Sequence, residues 1–497
     1  MPHVKRPASP AFPPSAISSG RRAWAIEPRS LSLHLVLLAS YSLALMGLGL
    51  WIGRSVAGAS DFFVAGRRLG PGLVFSTMLA ANIGAGSTVG ATSRGYLNGV
   101  VAWWWVGSAA IGSLVLAFWI GPAIRRIAEA QGLRTVGDYL EFRYSRTMRG
   151  VVAVLLWVGS IFILASQLIG LGWILNVVTG VPKPIGSAVG GVVIMVYFAA
   201  GGLLTSAWVN VVQLTVKLAG FAVALPLAVA AFGGWSAVGQ VRPADTLYWS
   251  LWRSDLTPAY FALLAPAFVV SPGLLQKIFG ARDDRAVRLG VGLNALGLFS
   301  FAAVPAVLGI VARGAFPNLT ASNLALPMIL MHGLPPVVGA FALAAVFSAE
   351  VSAADASLFM LTTSLSQDLY KRFLRPDASD ARVLSVARWA TIVSGAAGVA
   401  LAWSSEDVIE TLQIFYTLLG VGLFVPIVGG LYVERTTNTA ALTSVAAGLS
   451  VMLIDRALTG GAEPGLVTPA VAGLLAALGV WAIMLPFSKL SRTQPTK

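Results

Sequence analysis

The sequence predicts an all-α polytopic membrane protein organised as an inverted repeat, and three observations predict it. Of 497 residues, 57% are hydrophobic and only 11% are charged, whereas soluble proteins carry about 25% charged residues. The apolar residues collect into about thirteen runs, each near the 20 or so residues that cross a hydrocarbon core. Two of those runs are interrupted in the middle by helix-breaking residues, at corresponding places in the two halves of the chain.

Taken in order, the expected spans are 31–53, 73–96, 100–123, 150–178, 184–200, 207–232, 258–279, 288–312, 335–365, 384–403, 408–432, 437–455 and 467–486. The span 73–96 is broken at Gly84-Ala85-Gly86, and the span 258–279 at Ser271-Pro272-Gly273. Inside lipid an unpaired backbone group costs several kcal/mol, so irregular backbone persists there only where it lines a cavity. Gly/Pro-interrupted segments in matching halves therefore point to a transporter's binding site. The other glycines and small residues let helices pack closely.

The net charge of +14 is distributed in alternate loops. One set holds Arg54, Arg67 and Arg68, then Arg125 to Arg149, then Lys277 to Arg288, then Lys371 to Arg388, and Arg435; the intervening loops hold only Lys183, Arg242, Arg253, Arg313 and Arg456. This is the positive-inside pattern, which sets orientation and argues against nucleic acid as a partner. It places the N-terminus outside and the C-terminal tail in the cytoplasm. Residues 1–30 are Pro- and Ser-rich, basic and expected to be disordered. Their charge conflicts with export, so either they are translocated regardless or the true start lies downstream.

The expected organisation is a tail (1–30), a peripheral helix (31–53), a first five-helix repeat (73–232), a second, inverted repeat (258–432), two peripheral helices (437–486) and a cytoplasmic tail (487–497). The chain has no cysteine, which excludes disulfides and thiol chemistry, and His3, His34 and His332 make no metal-ligand spacing. With no nucleophile–base pair, metal cluster or phosphate loop, an enzyme is not expected, and neither is a cofactor.

Five stretches carry a family resemblance: ASDFFVAGRRLG (59–70), GATSRGYLNG (90–99), VYFAAGGLLTSAWVNVVQ (196–213), SPGLLQKIFGARDD (271–284) and SLSQDLYKRF (364–373). In order and spacing they resemble the sodium:solute symporters, the carriers of glucose, proline, pantothenate and monocarboxylates. The resemblance implies a LeuT-type five-plus-five inverted repeat, in agreement with the interrupted spans, and sodium as coupling ion. It puts the sodium on the carbonyls of Ala80, Ile83 and Ala349 and the hydroxyl of Ser352. Carbonyls beside a helix break lack amide partners and can face a cation. Ala353 departs from the family, which commonly has a hydroxyl there. Asn210 departs too, standing where the family usually has Asp in W-T-D-x-x-Q. We expect the missing carboxylate to have moved to Asp355, one turn after Ser352, with Asn210 as its neutral partner.

Solute is expected at Gly84, Ala85, Gly86 and Ser87 and around Ser271, Pro272 and Gly273. Glu350 is read either as a proton carrier or as half of a structural pair with a Lys or the backbone. Lys217 is read as a packing or snorkelling lysine, Arg94 either as a headgroup contact or as an attractor of anionic substrate at the entrance, and Trp103-Trp104-Trp105 as an aromatic belt of which one indole could face the cavity. Gln276-Lys277 resembles the family's Gln-Arg at this place and is read either as holding an inner gate against Asp283-Asp284 or as part of an ordinary solvated loop. The function this implies is symport of a small organic solute with sodium by alternating access, in a monomer embedded in the bacterial inner membrane. The alternatives are proton coupling through Asp355 and Glu350, or a sensor on a transporter scaffold. The unadorned cavity sequence and the half-helix N-termini favour a monocarboxylate or amino-acid-like solute.

Overall fold

The computed structural model describes residues 31–54, 63–198, 202–459 and 468–487. The expected tails at 1–30 and 488–497 and part of the 59–70 motif lie outside them. Among the described residues every extended element is a helix, apart from a single bridge between Leu69 and Ala281. The principal helices are α1 (Leu31–Gly53), α2 (Pro71–Asn82), α3 (Ala91–Asn98), α4 (Trp103–Val115), α5 (Arg146–Thr179), α6 (Lys183–Phe198), α7 (Gly202–Phe232), α8 (Thr257–Val269), α9 (Pro272–Phe279), α10 (Asp284–Phe301), α11 (Ala303–Ala315), α12 (Pro336–Thr363), α13 (Asp380–Ser404), α14 (Val408–Phe424), α15 (Asn438–Thr459) and α16 (Pro469–Met484).

Local chemistry sets many of these ends. Ser145 caps α5 by accepting from the Met148 amide, and Asp283 caps α10 by accepting from the Ala286 amide. Gly180, at φ +77°, closes α5. Gly99, at φ +75°, ends α3, and a Cβ there would fall 1.9 Å from the Tyr248 carbonyl oxygen, so only glycine lets the chain turn. Ten helical runs among the described residues are long and apolar enough to cross a membrane, and two shorter apolar helices accompany them. The expected all-α membrane architecture is present. The count of thirteen is not fixed by these runs, because α2 is too short to span alone and the segment 86–130 reads as one run despite its turn at Gly99.

The molecule exposes large apolar side chains on its perimeter and buries several charged ones within an apolar core. Trp51, Trp119, Trp208, Leu296, Trp389 and Ile454 are exposed on the perimeter, while Lys217, Glu350, Asp355 and Lys277 are buried. Such a perimeter matches a hydrocarbon solvent. The helix α12 is buried along most of its length and packs against α2, α5, α7 and α13. The two interrupted segments are tied together at one end. Leu69 donates to the Gly280 carbonyl (3.0 Å), and the Arg282 amide donates back to Leu69 (3.0 Å). The Arg67 guanidinium donates to the carbonyls of Phe279 (3.1 Å), Ala128 (3.2 Å) and Leu133 (2.8 Å).

Candidate functional site: a broken-helix cation cage and its cavity

The first break lies at Ile83 and Gly84. The backbone of Ile83 leaves the helical region (φ −90°, ψ 85°), and helical geometry has resumed at Ala85. The hydrogen-bond ladder shows what this exposes. The Gly84 amide, which would have bonded Ala80, donates to Ser87 Oγ instead (3.1 Å). The Ser87 amide, which would have bonded Ile83, donates to the Gly84 carbonyl (3.0 Å). The carbonyls of Ala80 and Ile83 are thereby left without backbone partners, buried in the bundle. The Ala85 amide is satisfied by Gln167 Oε1 (2.7 Å) from α5. Gly84 must be glycine: a Cβ would lie 2.3 Å from the Ala353 Cβ and 2.6 Å from Gln167 Oε1.

Helix α12 brings its own oxygens to the same place. Ser352 Oγ stands 2.8 Å from the Ala80 carbonyl and 3.0 Å from that of Ala349. Ala80, Ile83, Ala349 and Ser352 thus converge as expected, and three carbonyls with a hydroxyl suit a hard cation. Ala353 packs its methyl group against the break and adds no oxygen. The expectation for Lys217 is overturned. Its ammonium does not snorkel: the side chain is fully buried and Nζ donates to Ala80 O (2.7 Å), Ile83 O (3.1 Å) and Ser352 Oγ (2.7 Å). The physical reason is that the lysine points into the bundle, where three oxygens match its three donors.

Beside the cage lies a second polar cluster. Ser206 donates a short hydrogen bond to Asp355, and Asn210 Nδ2 donates to Ser206 Oγ (3.2 Å) and to Thr77 Oγ1 (3.1 Å). Asp355 and Asn210 are therefore neighbours through Ser206, with Asp355 turned into the protein. Glu350 Oε1 accepts from Thr88 Oγ1 (2.8 Å), and Glu350 and Lys277 are the charged neighbours of Lys217. Four buried ionisable side chains, Lys217, Lys277, Glu350 and Asp355, thus share the centre of the bundle.

The second break, at Ser271, faces the first across a cavity of about 60 Å³. Gly84, Gly86, Ser87, Ser271 and Gly273 line it, as expected; Ala85 and Pro272 do not, because the first is turned toward Gln167 and the second is buried at the start of α9. Trp105, Phe268 and Tyr416 form an aromatic wall, with Phe268 and Tyr416 ring centres 5.7 Å apart and Trp105 Nε1 donating to the Gly86 carbonyl (2.9 Å). Within the Trp run, Trp105 is the indole that lines the cavity, whereas Trp104 donates to the Leu251 carbonyl (2.9 Å) at an exposed site. Lys277 is among the lining residues, and no carboxylate is.

Lys277 also departs from its expected role. Its Nζ donates to the Thr77 carbonyl (2.9 Å). Asp283 instead caps α10 and pairs with Arg282, and Asp284 pairs with Arg125 (2.7 Å). A larger ion-pair network lies elsewhere at that end of the bundle. Arg149 meets Asp138 (2.8 Å), Glu141 (3.0 Å) and Asp368 (2.7 Å), Thr135 donates to Asp368 (2.6 Å), and Arg372 Nε donates to Glu141 (2.7 Å). Burial pushes the Glu141 carboxyl up, but hydrogen bonds from Arg372 and Arg149 outweigh it and hold the group below its usual range. A carboxylate so depressed stabilises the closed network above its unfolded-state value and loses that contribution as pH falls through the depressed value. Acidification through the carboxylate range is expected to lower the melting temperature of the wild type more than that of Glu141→Gln, read by thermal unfolding across a pH series; parallel curves would refute the assignment.

Gln167, Thr88, Ser206 and the aromatic wall were not singled out in the sequence. One signal was present: Ser206, Asn210, Gln213 and Lys217 are spaced i, i+4, i+7 and i+11, a polar stripe on one face of an otherwise apolar helix.

An interrupted-helix membrane bundle with a buried cluster of backbone and hydroxyl oxygens at one break and a cavity between two breaks has the form of a secondary carrier. The model of the sodium:solute symporter family matches residues 62–448, and the chain belongs to that family. It resembles the sodium/glucose cotransporter of Vibrio parahaemolyticus (23% identity, 85% of this chain and 84% of that one) and the sodium/pantothenate symporter of Escherichia coli (26%, 84% and 89%). Its fold is similar to a solved Na+-coupled sialic acid symporter in a substrate-bound outward-open state, with TM-score 0.79, 18% identity and coverage of 94% of this chain and all of the other. The protein is a multi-pass membrane symporter, not an enzyme, and couples a small solute to sodium; proton coupling through Asp355 or Glu350 is not favoured by this membership.

Proposed function

We propose that sodium binds in the cage of Ala80, Ile83, Ala349 and Ser352, that Asp355 and Asn210 support it from the neighbouring cluster, and that the transported solute is a small organic carboxylate held between the two breaks. The observation that carries the solute class is the cavity's charge: Lys277 reaches its wall and no acidic side chain does. The start of α9 at Ser271 adds backbone amides and the positive end of a helix dipole on the same side. Gly84, Gly86, Ser87 and Gly273 leave room for a carboxylate to approach the backbone closely.

Sodium in the cage would hold the broken first segment against α12 and so favour one arrangement of the two repeats, 73–232 and 258–432. Solute then completes the cavity, and rocking of one helix set breaks the Arg149 network at the other end. We read that network as cytoplasmic, in a monomer of the bacterial inner membrane with its N-terminus outside; the alternation of basic loops supports the orientation. One sodium moving down 100 mV releases about 2.3 kcal/mol, and a tenfold gradient adds about 1.4 kcal/mol. Together they sustain roughly several hundred-fold solute accumulation.

The test is uptake into proteoliposomes carrying an inward sodium gradient, with small monocarboxylates, amino acids and neutral solutes compared. Carboxylate uptake is expected, and Lys277→Gln is expected to raise its half-saturation concentration about tenfold, since a hydrogen bond to a charged group contributes about 1.5–3 kcal/mol. Sodium-driven uptake confined to neutral or cationic solutes would overturn the proposal.

A further inference from the structure

We infer that Lys217 is a tethered cation occupying the sodium cage, so that sodium enters only by displacing its ammonium group. The inference rests on the sodium position read above and concerns what competes for it. All three ammonium donors of Lys217 end on cage oxygens: Ala80 O, Ile83 O and Ser352 Oγ, at 2.7, 3.1 and 2.7 Å. Two of these are the carbonyls that the helix break strips of amide partners, and the third is the only side-chain hydroxyl of the cage. An ammonium centred on those atoms stands where a coordinated ion would have to stand. Two like charges cannot share a buried site at ligand distance, because Coulomb repulsion there is little screened. Lys217 and sodium are therefore alternative occupants.

The fold also provides the displaced ammonium with a destination. On the lysine's own helix the side-chain oxygens of Gln213 and Asn210, one and two turns back, are buried and accept no hydrogen bond from any described residue. The same holds for Glu350 Oε2, two residues before Ser352, whose carboxylate already attracts Lys217. Buried acceptors without partners are costly, and a lysine swinging off the cage would satisfy them. Lys277 is engaged at Thr77, so it does not compete for them. The flexible four-carbon stem of lysine permits such a swing without moving α7.

Two consequences follow for the carrier. Without sodium, the ammonium already bridges α2 to α12 and keeps the cage assembled, as the ion would. With sodium, affinity is reduced by the need to evict a cation that is held by three hydrogen bonds and cannot diffuse away.

The experiment measures sodium binding to the full-length purified protein, by sodium-dependent thermal shift and by the sodium dependence of uptake in proteoliposomes. Lys217→Met is expected to lower the half-saturating sodium concentration about tenfold or more, and Lys217→Gln to act in the same direction. A sodium affinity unchanged or weakened in folded Lys217 variants, with wild-type uptake still sodium-driven, would overturn the inference while leaving the symport reading intact. Uptake that needs no sodium in wild type or variants would instead sink the sodium position itself, and the inference with it. Should neither variant accumulate, reductive methylation of wild-type Lys217, read by mass spectrometry, decides the matter. Sodium is expected to raise labelling severalfold over potassium, and equal labelling overturns the displacement.

Discussion

Replacing Arg149 by Met is expected to cost about 3–5 kcal/mol of folding stability, the largest effect we expect from any single side chain. Arg149 is the hub on which Asp138, Glu141 and Asp368 converge at 2.8, 3.0 and 2.7 Å. Asp368 is only 2% exposed and has no other cationic partner among the described ion pairs. Removing the guanidinium leaves a buried carboxylate with Thr135 as its side-chain donor, and an unpaired buried charge is far more costly than a lost pair. The thermal unfolding midpoint of the detergent-solubilised protein is the measurement. The double variant Arg149→Met, Asp368→Asn is expected to recover much of the loss, since the amide needs no counter-charge. A double variant as unstable as the single one would show that Arg149 acts through Glu141 and Asp138 instead.

The second large effect is expected at Ser352. Ser352→Ala removes the hydroxyl that closes the cage from α12 while leaving its packing nearly intact. Losing one oxygen to a cation corresponds to about 1.5–3 kcal/mol, which is about ten- to a hundredfold in affinity. The cage oxygens identified are already few, because Ala353 supplies a methyl group where the family commonly has a hydroxyl. Sodium, which needs more ligands than an ammonium has donors, is expected to suffer more than Lys217. Sodium-dependent uptake at fixed solute should therefore shift to at least tenfold higher sodium. An unshifted curve would remove Ser352 from the ion site. The sign is opposite to that expected for Lys217→Met, so the two variants separate a ligand from a competitor.

Much of the architecture was legible because it depends on neighbours in sequence. Runs of about 20 apolar residues that cross a bilayer are helical, since the helix satisfies its amides within a single segment in lipid. The breaks were legible too, because Gly84, Ser271 and Pro272 act on their own turns of helix. The placement of Asp355 beside Asn210 followed from the absence of a carboxylate at one position and its presence one turn beyond Ser352. Lys217 was misread for a definite reason: long basic side chains in spans commonly reach for the interface, and whether one does depends on what lies around it. The partners of Lys277 were misassigned for the same reason. Asp283 and Asp284 are close to Lys277 in sequence, but Asp283 caps a helix, Asp284 faces Arg125, and Lys277 turns inward to Thr77.

The amino-acid sequence by itself determined a helical membrane carrier with two mid-depth interruptions and bare peptide carbonyls at the first of them. Only the tertiary structure decided what those carbonyls meet. Lys217 lies 134 to 137 residues from its cage partners, and no local pattern records that distance closing. Helix formation is governed by interactions within a few residues, so it can be read along the chain. Charge neutralisation in a buried site is governed by whichever helices pack together, so it appears only once they have packed.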